Sequence, residues 1–450
     1  MTFELTQEYI DQLKEAIADS NEQFVKSRLE ELLSQDIAVV LYELEEDEAK
    51  YIFSLFPSNE QAAIISELDE GFRIQFLEQF STGEIADFIN QIDSDDAADI
   101  LNEQDDADAI IELIEDKDEE KAKDIKDLLH YDHDCAGGLM QKELIRANLN
   151  WTVEKCVDEM RIQSKKVGKI FSVYVVDDQN KLLGRVSVKK MLLAEDHELI
   201  SELYQADLIT VDALLNAEDV ADLMKKYDLV AVPVTNSQGK LLGRITIDDI
   251  VDVITEKAEI DMQAMSGTTS GVEEEDSVWV LTKSRLPWLL IGMVGGMLGA
   301  KFLGFYGSFI SHLPAMAFFI PLITATGGNV GIQSSSLIVQ SLARDPFYND
   351  FSFYRMSKGF LVALINGIAI AALVFGFNFL LGLDTKQSLV VSISLFSVVI
   401  LSSFIGTVTP LVLDRFGVNP AVASGPFITT VNDLLGLAIY FSVAGYLYSV

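Results

Sequence analysis

The 450-residue sequence predicts a multidomain fold. Its parts are an all-α, acidic, superhelical N domain, an α/β pair built from a duplicated unit, a connecting helix and a five-helix transmembrane domain. Three observations predict it. The formal charge of −37 is carried entirely by residues before position 283. Two internal repeats fill that acidic region. Five apolar stretches, each long enough to cross a bilayer, fill the remainder.

Residues 283–450 hold five acidic side chains (Asp345, Asp350, Asp384, Asp414 and Asp433) against eight Lys and Arg, about +3, which leaves −40 on the rest. Such an acidic half disfavours nucleic acid and anionic membrane surfaces and favours cationic partners. The two cysteines, Cys135 and Cys156, have neither metal-binding nor redox spacing. The N-terminus, MTFELTQEYIDQLKEAI, lacks a basic segment followed by an apolar one. It is therefore not read as a signal peptide, and the acidic half is expected in the cytoplasm.

Residues 1–130 read as helical, with apolar positions three and four apart, as at Ile37, Val40, Leu41 and Leu44. A repeat of about 24 residues shows in AVVLYEL, AAIISEL and ADFINQI, ending at Leu44, Leu68 and Ile92, with ADAIIELI following. Repeats of that size predict stacked helical hairpins sharing one core. Asp and Glu crowd the polar faces, notably in DSDDAAD (93–99) and EQDDAD (103–108).

Residues 136–255 are richer in β-branched residues. FSVYVVD (171–177) and LVAVPVT (229–235) are each followed by one phrase, KLLGRVSVKKML at Lys181 and KLLGRITIDDIV at Lys240, 59 residues apart. VEKCVDEM upstream answers AEDVADLM. A duplicated helix–strand–strand–helix unit follows. It resembles a tandem CBS pair, a regulatory module that commonly senses adenine nucleotides or ions. In such pairs an Asp three residues after a Ser or Thr grips a ribose. The second repeat keeps this as Thr246 and Asp249, whereas the first has Ser187 followed by Lys190, so ATP binding stays open.

Residues 256–282 are read as the connecting helix, with a break at SGTTSG (266–271) before VEEEDSVWVLTK resumes a helical pattern. The transmembrane domain, 283–450, holds spans at about 287–308, 314–341, 359–381, 388–411 and 421–447. Lys283 and Arg285 precede the first; Arg344, Arg355 and Lys358 separate the second and third; Arg415 separates the fourth and fifth. The other loops carry only Lys386, which puts the N-terminus in the cytoplasm and the C-terminus outside.

Asp433 is the single acidic residue inside any expected span. A carboxylate at that depth costs about 2.5–3.5 kcal/mol on insertion scales, so it should face a cavity, a partner or an ion. Its neighbours three and four residues away, Thr429, Thr430 and Gly436, make a small polar face. The plainer reading is a structural Asp bonded within the bundle, yet the only base in any span is Lys301. In the second span, Pro321, Gly327, Gly328 and Gly331 predict irregular backbone whose freed carbonyls, with Asn329 and Gln333, face an ion. Close helix packing through small residues explains the glycines equally well on spacing alone, but Asn329 and Gln333 beside them favour a pathway.

Two motifs, Pro-x4-Thr-Gly-Gly-Asn-x-Gly-x-Gln (321–333) and Gly-Pro-x2-Thr-Thr-x2-Asp-x2-Gly (425–436), resemble the MgtE family of Mg²⁺ channels, as does the whole layout. The resemblance implies a homodimer with its pore at the subunit interface, where Asp433 holds hydrated Mg²⁺ and Thr429, Thr430, Asn329 and Gln333 line the path. Mg²⁺ keeps most of its waters, so selectivity would come from fitting the hydrated octahedron, which the looser Ca²⁺ shell fits badly. It also implies regulation by Mg²⁺ bridging Asp95 and Asp99 to Glu218, Asp228, Asp249 and Asp252. Asn419 stands where the family carries an acidic residue at the mouth of the fifth span.

His130, Asp132, His133, Asp134 and Cys135 suggest a Zn²⁺ cluster, against which stands the lack of a second ligand set. No HExxH, G-x-S-x-G or P-loop pattern points to an enzyme. A broader transporter of Co²⁺, Mn²⁺ or Ni²⁺ and a CBS-regulated membrane sensor without transport remain the alternatives. A CBS-regulated anion channel would need more spans and cationic filters.

Overall fold

The structure is a computed structural model and describes residues 5–165, 167–269, 271–272, 277–344 and 353–448. The chain divides into two units, Met1–Val253 and Ile254–Val450.

In the first unit, short helices run from Gln7 to Leu128. Helices Ser34–Tyr42, Ser58–Ser66, Thr82–Ile89 and Ala107–Glu115 carry the repeated phrases, and each packs on the next. Val40, Leu41, Ile64, Ile65, Ile85, Ile89, Ile110 and Ile114 are buried between them. No single pair could bury its own apolar stripe, so the repeats share one. Side-chain caps keep the helices short: Ser81 Oγ accepts from the Glu84 amide, and Glu84 Oε2 accepts from the Ser81 amide at 2.9 Å.

Two three-stranded sheets follow, β1 (Ile145–Asn148), β2 (Val173–Val176) and β3 (Leu182–Val186), then β4 (Val211–Asp212), β5 (Ala231–Thr235) and β6 (Leu241–Thr246). In each, the first pair is parallel and the second antiparallel. The edge strands β1 and β4 were not part of the unit expected from the repeat. They are too short and polar to announce themselves. The copies pair reciprocally: the Leu182 amide donates to the Gly239 carbonyl at 2.9 Å, and Leu241 to Asn180 at 3.0 Å. Val211, Val232 and Ile245 of the second repeat join the N-domain core through Ala136 and Met140, while the first repeat has its own.

The connecting helix differs from expectation. Helix Ile247–Ser266 begins directly after β6, inside the second repeat. It ends at Gly267, whose φ of +78° suits glycine. Residues 270 and 273–276 of the expected connector and residues 345–352 lie outside the described residues. Helix Val278–Phe305 carries the end of the connector into the first span without a break at Pro287.

Among the described residues the second unit holds five helices long and apolar enough to cross a membrane, over Val278–Phe305, Pro314–Ala343, Met356–Leu380, Thr385–Arg415 and Pro420–Tyr448. The fourth packs on the second, third and fifth, and the first on the fifth.

The irregular backbone expected at 321–333 is absent: Ile320–Arg344 is one α-helix. Pro321 falls in its first turn, where amides lack an intrahelical acceptor in any case. The glycines admit neighbouring helices instead. A Cβ on Gly331 would lie 1.9 Å from Asn432 Nδ2, and one on Gly406 would lie 2.5 Å from the Gly331 carbonyl oxygen. Gly406→Ala should therefore destabilise the membrane unit by about 1–3 kcal/mol, read as a lower melting temperature in detergent. Gly304→Ala, with open space around it, should not. Equal melting of the two variants would contradict this packing.

Candidate functional site

On the fifth span, Thr429, Thr430, Asp433 and Leu437 recur at helical spacing and line one groove of about 640 Å³. Its opposite wall is Gly292, Gly295, Gly296 and Gly299 of the first span. Thr324 and Ile332 of the second span and Met265 and Ser266 complete it. A Cβ on Gly295 would lie 2.1 Å from Thr430 Cγ2, so glycine is what lets the first span close on the fifth. No Lys, Arg or His lines the groove. Asp433 is half-buried and has neither a hydrogen-bond nor an ion-pair partner among the described residues. The plainer reading, an Asp bonded within the bundle, thus lacks its bond. What remains is a formal negative charge flanked by hydroxyls, an arrangement suited to a hydrated cation.

Asn329 and Gln333 are not brought to this groove. Both are exposed on another face of the second span, with Thr324 and Ile332 taking the lining positions. A residue missed by sequence reasoning is Asn432, 0% exposed, whose side-chain nitrogen and oxygen both lack partners. The signal for it was an Asn beside Asp433 in an otherwise apolar helix. Asn419, the departure from the family pattern, donates to Asp261 Oδ1 at 2.9 Å.

The second candidate site lies in the first unit, on helix Ser94–Asn102 and at the start of helix Ile247–Ser266. Asp95 is 5% exposed and its Oδ1 has no partner. Burial, then the charges of Asp96 and Asp249, push its carboxyl well above the usual range. Burial likewise raises Asp96 to about 7 and Asp249 to about 6, against the Thr246 bonds that pull Asp249 down. Asp93, Asp99 and Asp252 are raised by the same cause.

The nearby bases already have partners, one of them within the cluster. Lys121 Nζ meets Glu143 Oε1 at 3.1 Å and the Ile92 carbonyl. Glu143 Oε2 accepts from Ser94 Oγ at 2.7 Å. Burial would raise Glu143, but Lys121 and Ser94 outweigh it and hold it below the usual range. Arg73 pairs with Glu103.

Of the sequence-predicted residues, the structure brings together Asp95 and Asp249, with Asp99 on the same helix and Asp252 one turn after Asp249. Asp93, Asp96 and Glu143 join them unforeseen. Glu218 is exposed in the first turn of helix Ala217–Lys226, and Asp228 is exposed two residues beyond its end, at φ +50°. Among the described residues no three His, Cys, Asp or Glu side chains converge as metal ligands. That holds for residues 130–135 too, where His133 Nε2 lies 3.4 Å from Asp99. The segment is not a free hinge either: the Ala136 amide donates to Leu215 and the Ala217 amide to Asp134.

Thr246 and Asp249 form a helix cap, the Thr246 amide and hydroxyl both donating to Asp249 Oδ2 at 3.1 and 2.9 Å. In the first repeat Lys190 Nζ donates to the Leu203 carbonyl at 2.6 Å.

Residues 320–443 match the MgtE family model, described as a divalent cation transporter. Residues 32–134 match the MgtE intracellular N domain, and 136–196 and 200–256 match the CBS domain. Over 331 residues, 72% of each chain, the sequence is 34% identical to the magnesium transporter MgtE of Enterococcus faecalis. It is 28% identical to that of Bacillus subtilis over 93% of each chain, and 29% identical to that of Thermus thermophilus over 96% of this chain and 97% of the relative. Among solved structures, the cytosolic domain of the Mg²⁺ channel MgtE in complex with ATP superposes with a TM-score of 0.51 at 26% identity, covering 54% of this chain and 99% of that one. The soluble part of a magnesium transporter gives 0.50 at 28%, covering 56% and 99%.

Proposed function

The chain belongs to the MgtE family of magnesium transporters, and from that premise we propose that Mg²⁺ crosses the membrane past Asp433. It is a multi-pass membrane protein that transports Mg²⁺ rather than an enzyme. The observation that carries the site assignment is the unpartnered Asp433 carboxylate, one helical turn from Thr429 and Thr430, in a groove that no basic residue lines among the described residues. A carboxylate acting through the waters of Mg²⁺ needs no converging ligand set, because the ion does not have to be stripped. Two copies of the chain, paired about a dyad, would offer two such carboxylates to one dication. The homodimer would also let Asn329 and Gln333, exposed on a single chain, meet the path.

The soluble unit is read as its Mg²⁺ sensor. Asp95, Asp96 and Asp249 are buried against one another, and burying like charges is unfavourable unless cations or protons offset them. One helix, Ile247–Ser266, carries Asp249 and Asp252 near its start and Met265 and Ser266 of the groove at its end. The relative solved with ATP supports ATP binding by the soluble unit, with Thr246 and Asp249 of the second repeat as the candidate residues. The N-terminus faces the cytoplasm and the C-terminus the outside.

Purified protein in liposomes should admit Mg²⁺ down its gradient and discriminate against Ca²⁺, with flux falling as Mg²⁺ rises on the sensor side. Absence of Mg²⁺ flux from well-folded protein, with or without sensor-side Mg²⁺, would return the chain to the sensor-only reading. Co²⁺, Mn²⁺ and Ni²⁺ in the same assay set the substrate range.

A further inference from the structure

The acidic cluster of the soluble unit holds a cation that belongs to the chain itself. Lys121 and Ser94 are part of the N domain, residues 32–134, whereas Lys142 and Glu143 open the first CBS repeat, 136–196. A closed set of bonds crosses from one to the other. Lys121 Nζ donates to Glu143 Oε1 at 3.1 Å and to the Ile92 carbonyl. Glu143 Oε2 accepts from Ser94 Oγ at 2.7 Å and from the Ser94 amide at 3.2 Å. Ser94 Oγ accepts in turn from the Lys142 amide at 2.9 Å. These bonds grip residues 92–94, from which helix Ser94–Asn102 carries Asp95, Asp96 and Asp99 into the cluster.

The Lys121 and Glu143 side chains are 13% and 12% exposed, too little for solvent and salt to screen the pair as they screen a surface one. Their surroundings are one-sided. The charge of Glu143 acts on Asp93 and Asp95, beside those of Asp96 and Asp249. Of the bases whose charges reach these carboxylates, Arg73 is paired with Glu103, and Arg244 donates to the Lys169 carbonyl and to Gln141 Oε1. Lys121 ion-pairs a member of the cluster directly. Removing one partner of a buried pair leaves the other uncompensated.

We propose that Lys121 is a resident cation of the sensor: when the N domain docks, its ammonium supplies Glu143 with positive charge that Mg²⁺ would otherwise bring, and so sets how much Mg²⁺ closure requires. The proposal rests on the reading of the soluble unit as a Mg²⁺ sensor. A tethered ammonium is present at a fixed effective concentration whatever the Mg²⁺ level. It therefore favours the docked state constantly, and Mg²⁺ supplies only the remaining charge.

The alternative is a structural clamp whose charge is immaterial, and the two differ in sign. Glu143→Gln is nearly isosteric, keeps a side-chain oxygen to accept from Ser94, and removes one negative charge. It would weaken a clamp, so that closure needed more Mg²⁺. It frees a resident cation to offset Asp93 and Asp95, so closure should need several-fold less. Lys121→Met keeps the stem but leaves Glu143 uncompensated. It should need several-fold more Mg²⁺, with a steeper dependence because a further ion is taken up. Lys121→Arg should stay near wild type. Lys121→Met with Glu143→Gln removes both charges and should return towards wild type.

The measurement is limited proteolysis of the purified full chain at residues 131–135 across a Mg²⁺ titration, with bound Mg²⁺ counted by equilibrium dialysis. Opposite shifts in the two single variants, with recovery in the double variant, are expected. Shifts in the same direction, or no shift in Glu143→Gln, overturn the proposal. If Lys121→Met does not fold, the direction of the Glu143→Gln shift decides alone. A wild-type cleavage pattern indifferent to Mg²⁺ would instead refute the sensor reading itself.

Discussion

Asp433→Asn protein is expected to fold, insert and assemble as wild type does, and to lose Mg²⁺ flux by roughly 100-fold or more, equivalent to about 2.7 kcal/mol at the transition state. The two halves of this expectation have separate grounds. Folding survives because no hydrogen bond or ion pair of Asp433 is seen among the described residues, so the substitution breaks no contact. Insertion becomes easier, since an in-span carboxylate is itself unfavourable by about 2.5–3.5 kcal/mol. Conduction fails because no other acidic residue among the described ones lines the groove. Thr429 and Thr430 can bond to the ion's waters, but supply no charge. Asp433→Glu separates charge from fit: it keeps the carboxylate and extends it into the space of the hydrated ion, so reduced flux is expected. Liposome flux, normalised to protein recovered in the monodisperse fraction, is the measurement. Near-normal flux through Asp433→Asn would remove the residue from the path.

What the sequence revealed about this site, and what it did not, divides along a physical line. The repeated phrases ending at Leu44, Leu68 and Ile92 were legible because helical periodicity is local, and so were Thr429, Thr430 and Asp433, which share a face by spacing alone. Gly327, Gly328 and Gly331 were ambiguous, since glycine serves equally a broken helix and a tightly packed one. Gly406 and Asn432, distant in sequence, decide for packing. The polarity of Asn329 and Gln333 was visible, but the face they occupy is set by how the second span meets its neighbours. On the acidic side, DSDDAAD announced a cluster without saying which members are buried. Only the fold places Asp96 beside Asp249 and brings Glu143, from the start of the first CBS repeat, to join them.

Removing two of those carboxylates should uncouple the sensor. In Asp95→Ala with Asp249→Ala, closure is expected to lose its steep dependence on Mg²⁺, and the concentration for half closure to rise several-fold, with maximal flux little changed. The compact arrangement buries Asp95, Asp96 and Asp249 together, so it forms when cations or protons are taken up. A ligand shifts such an equilibrium only by its differential affinity for the two states, and moving it from 1:99 to 99:1 takes about 5.5 kcal/mol. One hydrated ion on a carboxylate or two falls short of that, hence several ions and a steep response. The pH dependence follows with an unusual sign for carboxylates. In the compact form Asp96 titrates at about 7 and Asp249 at about 6, whereas separated groups titrate near about 4. The compact form therefore binds extra protons between about 4 and 7. Lowering the pH from 8 to 6 should favour it and reduce the Mg²⁺ needed, and above about 7 the repulsion is fully present. Limited proteolysis reads this without reference to conduction: Mg²⁺ should protect the 131–135 segment and the 266–271 break in wild type, at lower concentration at pH 6 than at pH 8. Both effects should shrink in the double variant. A wild-type cleavage pattern indifferent to Mg²⁺ would end the bridging gate, even if Asp433 proved indispensable to conduction.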